Sequence, residues 1–246
     1  MEKKEKYIMK VSGESFIGET NLDASKALEI AKQIVKISEN NNIAVICGAG
    51  NIVRGRNYSD KVYADYMGMT ATNINIILLY SAIKELTNNV CMFSLIGDNK
   101  IIENYSIDKC LEKYNEGKIV LIGGGNGLIG FTTDSAVLRR ANELGIKKIM
   151  FGKAIDGVYD RNPDDIRAKK YDYITPIELL NDRIQQKFYK NGVMDDSALV
   201  DLINSDIDMY VYKSTDESAI DKILDGENPG TIITNNKELL KRRKIY

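Results

Sequence analysis

The chain has no histidine among its 246 residues. That removes the commonest general base at neutral pH and the commonest zinc ligand. A Ser-His-Asp hydrolase is excluded with them. Cysteine is scarce: Cys47, Cys91 and Cys110 stand far apart and form no CxxC pair. Metal clips and redox motifs are therefore disfavoured, and a reducing cytoplasm fits. Cys47 sits in an apolar run and reads as a small core residue. Proline occurs three times, and no proline-rich, repetitive or low-complexity tract divides the chain. Neither sign of charge is in excess, since 34 basic and 35 acidic residues give a net charge of −1. Bulk attraction to nucleic acid or to an anionic membrane does not follow from that balance. The longest apolar runs, such as Ile74 to Leu79, are far too short to span a bilayer. The opening MEKKEKYIMK carries charges without the apolar stretch of a secretory signal.

What is present reads as an ordinary globular α/β chain, with 43% hydrophobic and 28% charged residues. Short apolar runs alternate with helical stripes. Strands are expected at Tyr7–Val11, Ile43–Cys47, Val90–Ile96, Ile119–Ile122, Lys147–Phe151, Met209–Tyr212 and Thr231–Thr234. Helices are expected from Asp23 to about Glu39, Asp60 to Leu86, Ser106 to Glu116 and Thr133 to Leu144. Later ones are expected over Ser197–Asn204 and Glu217–Leu224. This alternation predicts a largely parallel sheet with helices on both faces. The length suits one domain with two functional halves, joined near Phe151.

Three glycine-bearing turns each follow an expected strand: Ser12-Gly13-Glu14, Gly48-Ala49-Gly50-Asn51 and Gly123-Gly124-Gly125-Asn126-Gly127. Glycine lets backbone approach a ligand closely, and open α/β sheets bind ligands beyond the carboxyl ends of their strands. Gly125-x-Gly127-x-x-Gly130 matches the dinucleotide fingerprint in letters, but the helix opens only after Phe131-Thr132-Thr133-Asp134. No Walker A pattern occurs. Lys10 at the end of the first strand and Arg54 after the second turn supply cations beside the glycines. Cations and backbone donors are what phosphoryl transfer between two anions requires.

The motifs together carry a family resemblance. MKVSGE around Lys10, GAGNIVRG from Gly48 and DYMGMTATNIN from Asp65 resemble segments of the bacterial UMP kinases of the amino-acid-kinase superfamily. So do FTTDSA from Phe131, DGVY from Asp156, GVMDDSA from Gly192 and GTII from Gly230. Their order and spacing hold from about Tyr7 to Thr234, and DxMGM with FTTDSA is the UMP kinase combination. The resemblance implies a three-layer α/β/α sandwich with a mostly parallel central sheet. It implies a cytoplasmic enzyme that transfers the γ-phosphate of ATP, carried with Mg²⁺, to UMP in pyrimidine nucleotide biosynthesis. It further implies a homohexamer, with no membrane or nucleic-acid partner. By the resemblance, residues 1–246 would form a single domain of this kind; about 1–150 would hold UMP, about 151–234 would hold ATP, and 235–246 would be a tail.

The resemblance also assigns roles. Lys10, Arg54 and Asp134 would be catalytic, with Lys10 neutralising the transferring group and Asp134 helping to order the cations. No residue would ligate a metal directly. Lys10, Ser12, Gly13, Gly50, Arg54, Lys153, Tyr159 and Asn162 would contact ATP. Ala49, Asp65, Asn126, Phe131, Thr132 and Thr133 would contact UMP, Asp65 through its ribose. Asp195 aligns with a family aspartate of uncertain role. Plainer readings stand beside these. Asp65 could be an exposed helix acid, Thr133 and Asp134 could simply cap a helix, and Met67 and Met69 read as packing residues. Asp195 and Asp196 are adjacent, so their carboxylates diverge and a shared metal is not expected.

The chain departs from the family in several places. Ala49 replaces a glycine, Gly124 stands where many members have threonine, and Asn162 replaces an acid. The loop from Asn126 to Phe131 is two residues longer. The tail, with Lys237, Lys241, Arg242, Arg243 and Lys244, reads as a frayed solvated helix rather than a nucleic-acid arm. Two rival functions remain open: a non-catalytic uridylate-sensing protein, and another small-molecule kinase of the superfamily.

Overall fold

A computed structural model describes residues 4–97, 100–185 and 193–243. Gly192 of the GVMDDSA segment and Lys244 of the tail lie outside the described residues. The chain divides into two compact units, Met1–Ile146 and Lys147–Tyr246.

In the first unit the elements are β1 (Lys6–Val11), α1 (Ala24–Asn40), β2 (Asn42–Cys47), α2 (Lys61–Lys84), β3 (Val90–Ser94), β4 (Glu103–Asn104), α3 (Ile107–Asn115), β5 (Ile119–Gly123) and α4 (Thr133–Glu143). Short 3₁₀ turns occupy Gly13–Phe16 and Gly55–Asn57. The strands pair in the order β4-β3-β5-β2-β1, and every pairing is parallel. β2 and β5 are buried throughout, as a sheet covered on both faces requires. Right-handed crossovers decide the layers. The chain travels one way along the sheet from β1 through β2 to β3, then reverses to β5, so α1 and α2 share one face and α3 takes the other. α4 lies over β1 and β2. It meets the start of α3 through the Tyr105 ring, which lies 4.7 Å from the buried Arg140 guanidinium.

Capping explains where the helices begin. The Asp23 carboxylate accepts from the Ser25 and Lys26 amides and starts α1; Asp60 does the same for α2 with Val62 and Tyr63. α4 is capped by Thr132, whose Oγ1 accepts from the Asp134 amide at 3.0 Å. The helix therefore begins one residue earlier than a cap at Thr133 would place it, because the hydroxyl that reaches an open amide is that of Thr132.

In the second unit the elements are β6 (Lys148–Lys153), β7 (Val158–Tyr159), β8 (Lys170–Tyr171), β9 (Tyr173–Ile174), α5 (Pro176–Gln185), α6 (Asp196–Ile203), β10 (Asp208–Lys213), α7 (Ala219–Leu224), β11 (Thr231–Ile233) and α8 (Lys237–Leu240). β6 and β10 are parallel, β10 and β11 antiparallel, and β11 and β9 parallel. β7 and β8 form a separate antiparallel pair. α5 was not expected from its hydrophobic pattern, yet it opens on a capping box. The Glu178 carboxylate accepts from the Thr175 amide at 2.9 Å, the Glu178 amide donates to Thr175 Oγ1 at 3.2 Å, and Pro176 takes the first helical position.

The tail differs from the frayed helix expected of it. Asn236 caps α8 by accepting from the Glu238 amide at 3.0 Å. Asn235 Nδ2 donates to the Leu202, Ile203 and Ser205 carbonyls at the end of α6. Arg243 pairs with Glu178 at 2.9 Å. Local capping and these fixed partners hold the segment against α5 and α6. Among the described residues no helix is long and apolar enough to cross a membrane.

Candidate active site

β1, β2 and β5 are adjacent and parallel, so the three glycine turns leave the same edge of the sheet. The first two touch through their backbones. A Cβ built on Gly13 would lie 2.5 Å from Asn51 Oδ1 and 2.6 Å from the Gly50 nitrogen, closer than any side chain tolerates. A Cβ on Gly48 would lie 3.3 Å from the Gly13 nitrogen. A Cβ on Gly50 would meet no protein atom within 4 Å, so that face of the turn opens outward. Ala49 is half-buried and its carbonyl accepts from the Ile52 and Val53 amides, so the added methyl is accommodated in the turn. Ser12 precedes the 3₁₀ turn and accepts from the Ser15 amide at 3.0 Å through its carbonyl.

The third turn is set by backbone handedness. Gly124, Gly125, Gly127 and Gly130 have φ of +78°, +58°, +73° and +85°. L-residues adopt that region at a cost of roughly 1–2 kcal/mol each. At Gly124 a Cβ would also strike the Leu95 nitrogen at 2.7 Å, so threonine does not fit this backbone. Asn126 is buried, and among the described residues its Oδ1 has no hydrogen-bond partner. An acceptor left so carries a penalty of about 1–3 kcal/mol.

Charges are placed around these turns. Lys10, near the end of β1, is buried, and its ammonium lies 3.2 Å from the Asp134 carboxylate in the first turn of α4. Both side chains are mostly hidden, at 7% and 13% exposure. Buried ion pairs are poor stabilisers, because desolvation consumes most of the Coulomb gain, while losing one partner costs on the order of 3–5 kcal/mol. Fold stability is thus a weak reason for this pair to exist. Cys47 pairs with Val11, the residue after Lys10, across the β1–β2 ladder; burial pushes its thiol far above the ordinary range, and the Lys10 charge only partly opposes this. The sulfur is a neutral core group. Arg54 pairs with Glu14, both side chains being more than a third exposed. Such a pair is worth roughly 0–1 kcal/mol, so Arg54 can turn readily to an incoming anion.

Asp65, on α2, accepts from the Gly130 amide at 2.7 Å through Oδ2. It is therefore more than a solvated helix acid: it fastens the far end of the third loop. Phe131 and Thr132 are exposed and Thr133 is half-buried, together forming the lip between that loop and α4. Met69 is buried as a packing residue, whereas Met67 is 38% exposed.

The structure adds residues that single-residue reasoning passed over. Asn51 and Asn75 exchange amide hydrogen bonds at 3.0 and 2.9 Å. Asn75 Nδ2 also donates to the Gly48 carbonyl at 2.6 Å, and Asn51 Nδ2 to the Asn21 carbonyl at 2.8 Å. Thr72 Oγ1 accepts from the Gly124 amide at 2.8 Å. All lie inside the motif segments quoted above; what the letters do not disclose is that α2 faces the turns.

In the second unit, Lys153 ends β6 with its ammonium 4.5 Å from the Phe151 ring centre. Tyr159 donates to Asp156 at 2.7 Å, and Lys170 pairs with the same carboxylate at 2.9 Å. Burial alone would raise the Asp156 carboxyl, but those two bonds outweigh it and hold it below its ordinary value. Asn162 is exposed and makes a local turn, accepting from the Asp164 amide at 3.1 Å. Asp195 caps α6, accepting from the Ala198 amide at 2.8 Å, while Asp196 turns to Arg183 at 2.9 Å. No group of three or more potential metal-ligating side chains is found among the described residues.

A parallel sheet with three glycine turns at one edge, a buried lysine–aspartate pair and no histidine is the framework of a phosphotransferase. The amino acid kinase family matches residues 5–213, and the chain belongs to it. Its relatives include the uridylate kinases of Bartonella bacilliformis and Bartonella henselae, each 32% identical over 93% of this chain and 96% of theirs. Among solved structures, the UMP kinase from Ureaplasma parvum superposes with a TM-score of 0.85 at 31% identity. It covers 95% of this chain and 100% of its own. The UMP kinase from Bacillus anthracis gives 0.86 at 28% identity over 94% and 96%. The fold is the three-layer α/β/α sandwich, with its mostly parallel sheet, of that family.

The two glycines make a contrast that can be measured. Gly13→Ala forces a methyl into Asn51 and Gly50, and thermal unfolding should show a loss of about 1–3 kcal/mol. Gly50→Ala adds its methyl to open space and should leave the melting temperature unchanged. Equal melting temperatures for the two variants would contradict the close approach of the first two turns.

Proposed function

We propose that the protein is a UMP kinase, transferring the γ-phosphate of ATP to UMP to give UDP and ADP in pyrimidine nucleotide biosynthesis. The observation that carries this reading is the buried Lys10–Asp134 pair at the sheet edge where three glycine turns emerge. In the reaction an oxygen of the UMP phosphate bonds to the γ-phosphorus, and the bond from that phosphorus to the β,γ-bridging oxygen breaks. The electron pair leaves with ADP. The attacking oxygen is already ionised at neutral pH, so no general base is needed, and a chain without histidine can do this chemistry. The task is to hold two polyanions together. Lys10 neutralises the group in transit, and Arg54 swings from Glu14 to bridge the two phosphates. The open face of Gly50 and the Ser12–Gly13 backbone cradle phosphate oxygens.

Magnesium would arrive with ATP and offset charge on its β- and γ-phosphates. The ion would be held by the ATP phosphates with no direct protein ligand, and Asp134 beside Lys10 would help to order the cations. On the acceptor side, Ala49, Asp65, Asn126, Phe131, Thr132 and Thr133 would hold UMP. The orphaned Asn126 Oδ1 suits uracil, whose N3 carries a hydrogen, over cytosine, whose N3 is itself an acceptor. Residues 1–150 are thus read as the UMP half, and about 151–234 as the ATP half, with Lys153 and Tyr159 toward the nucleoside. Asn162 and Asp195 already serve a local turn and a helix cap, so their contribution would be to shape the surface. We read the protein as a cytoplasmic homohexamer. An exposed apolar face on α2, with Tyr63, Tyr66, Met67, Ile74 and Ile77, supports self-association.

A coupled ADP-release assay with UMP, CMP, acetylglutamate and aspartate tests the reading. Turnover should require UMP, vanish in EDTA and return with Mg²⁺ or Mn²⁺; preference for an amino-acid acceptor would replace it. Lys10→Ala should lower kcat on the order of 10²-fold or more, with a smaller change in UMP binding, because its charge acts mainly in the transition state. A folded variant with near-normal turnover would remove the centre of the mechanism. Asp65→Asn keeps an acceptor for the Gly130 amide and loses only the charge offered to ribose. The KM for UMP should rise roughly ten-fold, and preference for UMP over dUMP should shrink. Unchanged constants for both sugars would place UMP elsewhere.

A further inference from the structure

Helix α2 reaches the second and third glycine turns with two side chains, Asn75 and Thr72, that touch neither phosphate nor base in the proposed reaction. Asn75 is completely buried and Asn51 nearly so. Every amide hydrogen of the two side chains has an acceptor: Gly48 O and Asn51 Oδ1 for Asn75, Asn21 O and Asn75 Oδ1 for Asn51. A closed buried network of this kind admits one arrangement, since any shift leaves an amide unpaired. Asn51 Oδ1 is also the atom nearest to where a Gly13 side chain would be. The pair therefore sets the position of the second turn directly and the spacing of the first turn against it. Three residues before Asn75, one helical turn away, Thr72 Oγ1 fixes the Gly124 amide of the third turn.

We infer that Asn75 and Thr72 are positioning residues that act on different stages of the reaction. Asn75 holds the phosphate-facing turns around Gly13 and Gly50, and Thr72 holds the base-facing turn around Asn126. The assignment of those two tasks rests on the UMP kinase reading. Misplacement of reacting groups by an ångström lowers rate steeply, whereas a loosened base turn weakens the acceptor.

Three variants test this in the full chain: Asn75→Ser, Thr72→Val and, as a control, Ile83→Ala. Ile83 is buried on the same helix, two turns beyond Asn75. In steady-state kinetics with ATP and UMP, Asn75→Ser should lose kcat about ten-fold or more, with KM for UMP changed less than about three-fold. Thr72→Val should raise KM for UMP by about ten-fold and spare kcat. Ile83→Ala should lose thermal stability and keep both constants. A stability role alone predicts that Asn75→Ser behaves like Ile83→Ala, and that result would overturn the inference. Amide hydrogen exchange gives a readout independent of the acceptor. At residues 12–14 and 48–51, exchange should accelerate at least ten-fold in Asn75→Ser and stay unchanged in Ile83→Ala. Unchanged exchange in Asn75→Ser would sink the inference even if the substrate proved not to be UMP. Absence of UMP turnover in the wild type, with accelerated exchange, would sink the functional reading and leave the positioning role supported.

Discussion

The contact on which the site depends is between two pieces of backbone. Gly13 lies so close to Gly50 and Asn51 that neither turn can take its place without the other. Backbone packed on backbone brings amide groups of successive strands together without intervening side chains. Lys10, one residue before the end of β1, lies beside the first turn of α4. The Lys10–Asp134 pair follows from that arrangement. Both side chains are mostly hidden from water, with the ammonium 3.2 Å from the carboxylate.

The long-range partners of that edge come chiefly from α2. Asp65 holds Gly130, Thr72 holds Gly124, and Asn75 holds Gly48 and Asn51. The helix carries no charge from Tyr66 through Ile83. On its buried side that permits polar side chains which satisfy one another and the turns. On its outer side it leaves an apolar surface. A helix apolar on more than one face is ordinarily covered on more than one face, in keeping with the assembly proposed.

Much of this was legible in the residues. The strand–turn–helix order, the three turns and the cations beside them follow from hydrophobic period and glycine placement, and β1, β2, β3, β5, β6, β10 and β11 fall where the apolar runs are. What escaped did so for physical reasons. α5 is short and only partly buried, and its signal was the Thr175–Glu178 capping box rather than a stripe. β7, β8 and β9 have two residues each, too few for any period to show. The tail depended on Asn235 and Arg243 finding α6 and α5, pairings of 30 or more residues' separation that no local pattern contains. Asn51 and Asn75, 24 positions apart, are each an unremarked polar letter; only the fold makes them a pair.

The left-handed glycines of the third loop bear on how the protein can change. Four of the seven positions from Gly124 to Gly130 accept almost no other amino acid without strain, whatever the acceptor molecule. Point mutation is thereby confined to Asn126, Leu128 and Ile129, the last two of which are exposed. A loop so restricted in letters has another freedom, in length, since residues added between fixed glycines alter its reach without disturbing the strand before it or the helix after it. Divergence of acceptor preference from this chain would then be written as insertions and deletions more than as substitutions, and a library meant to redirect it would do better to vary the number of residues between Gly127 and Gly130 than their identity.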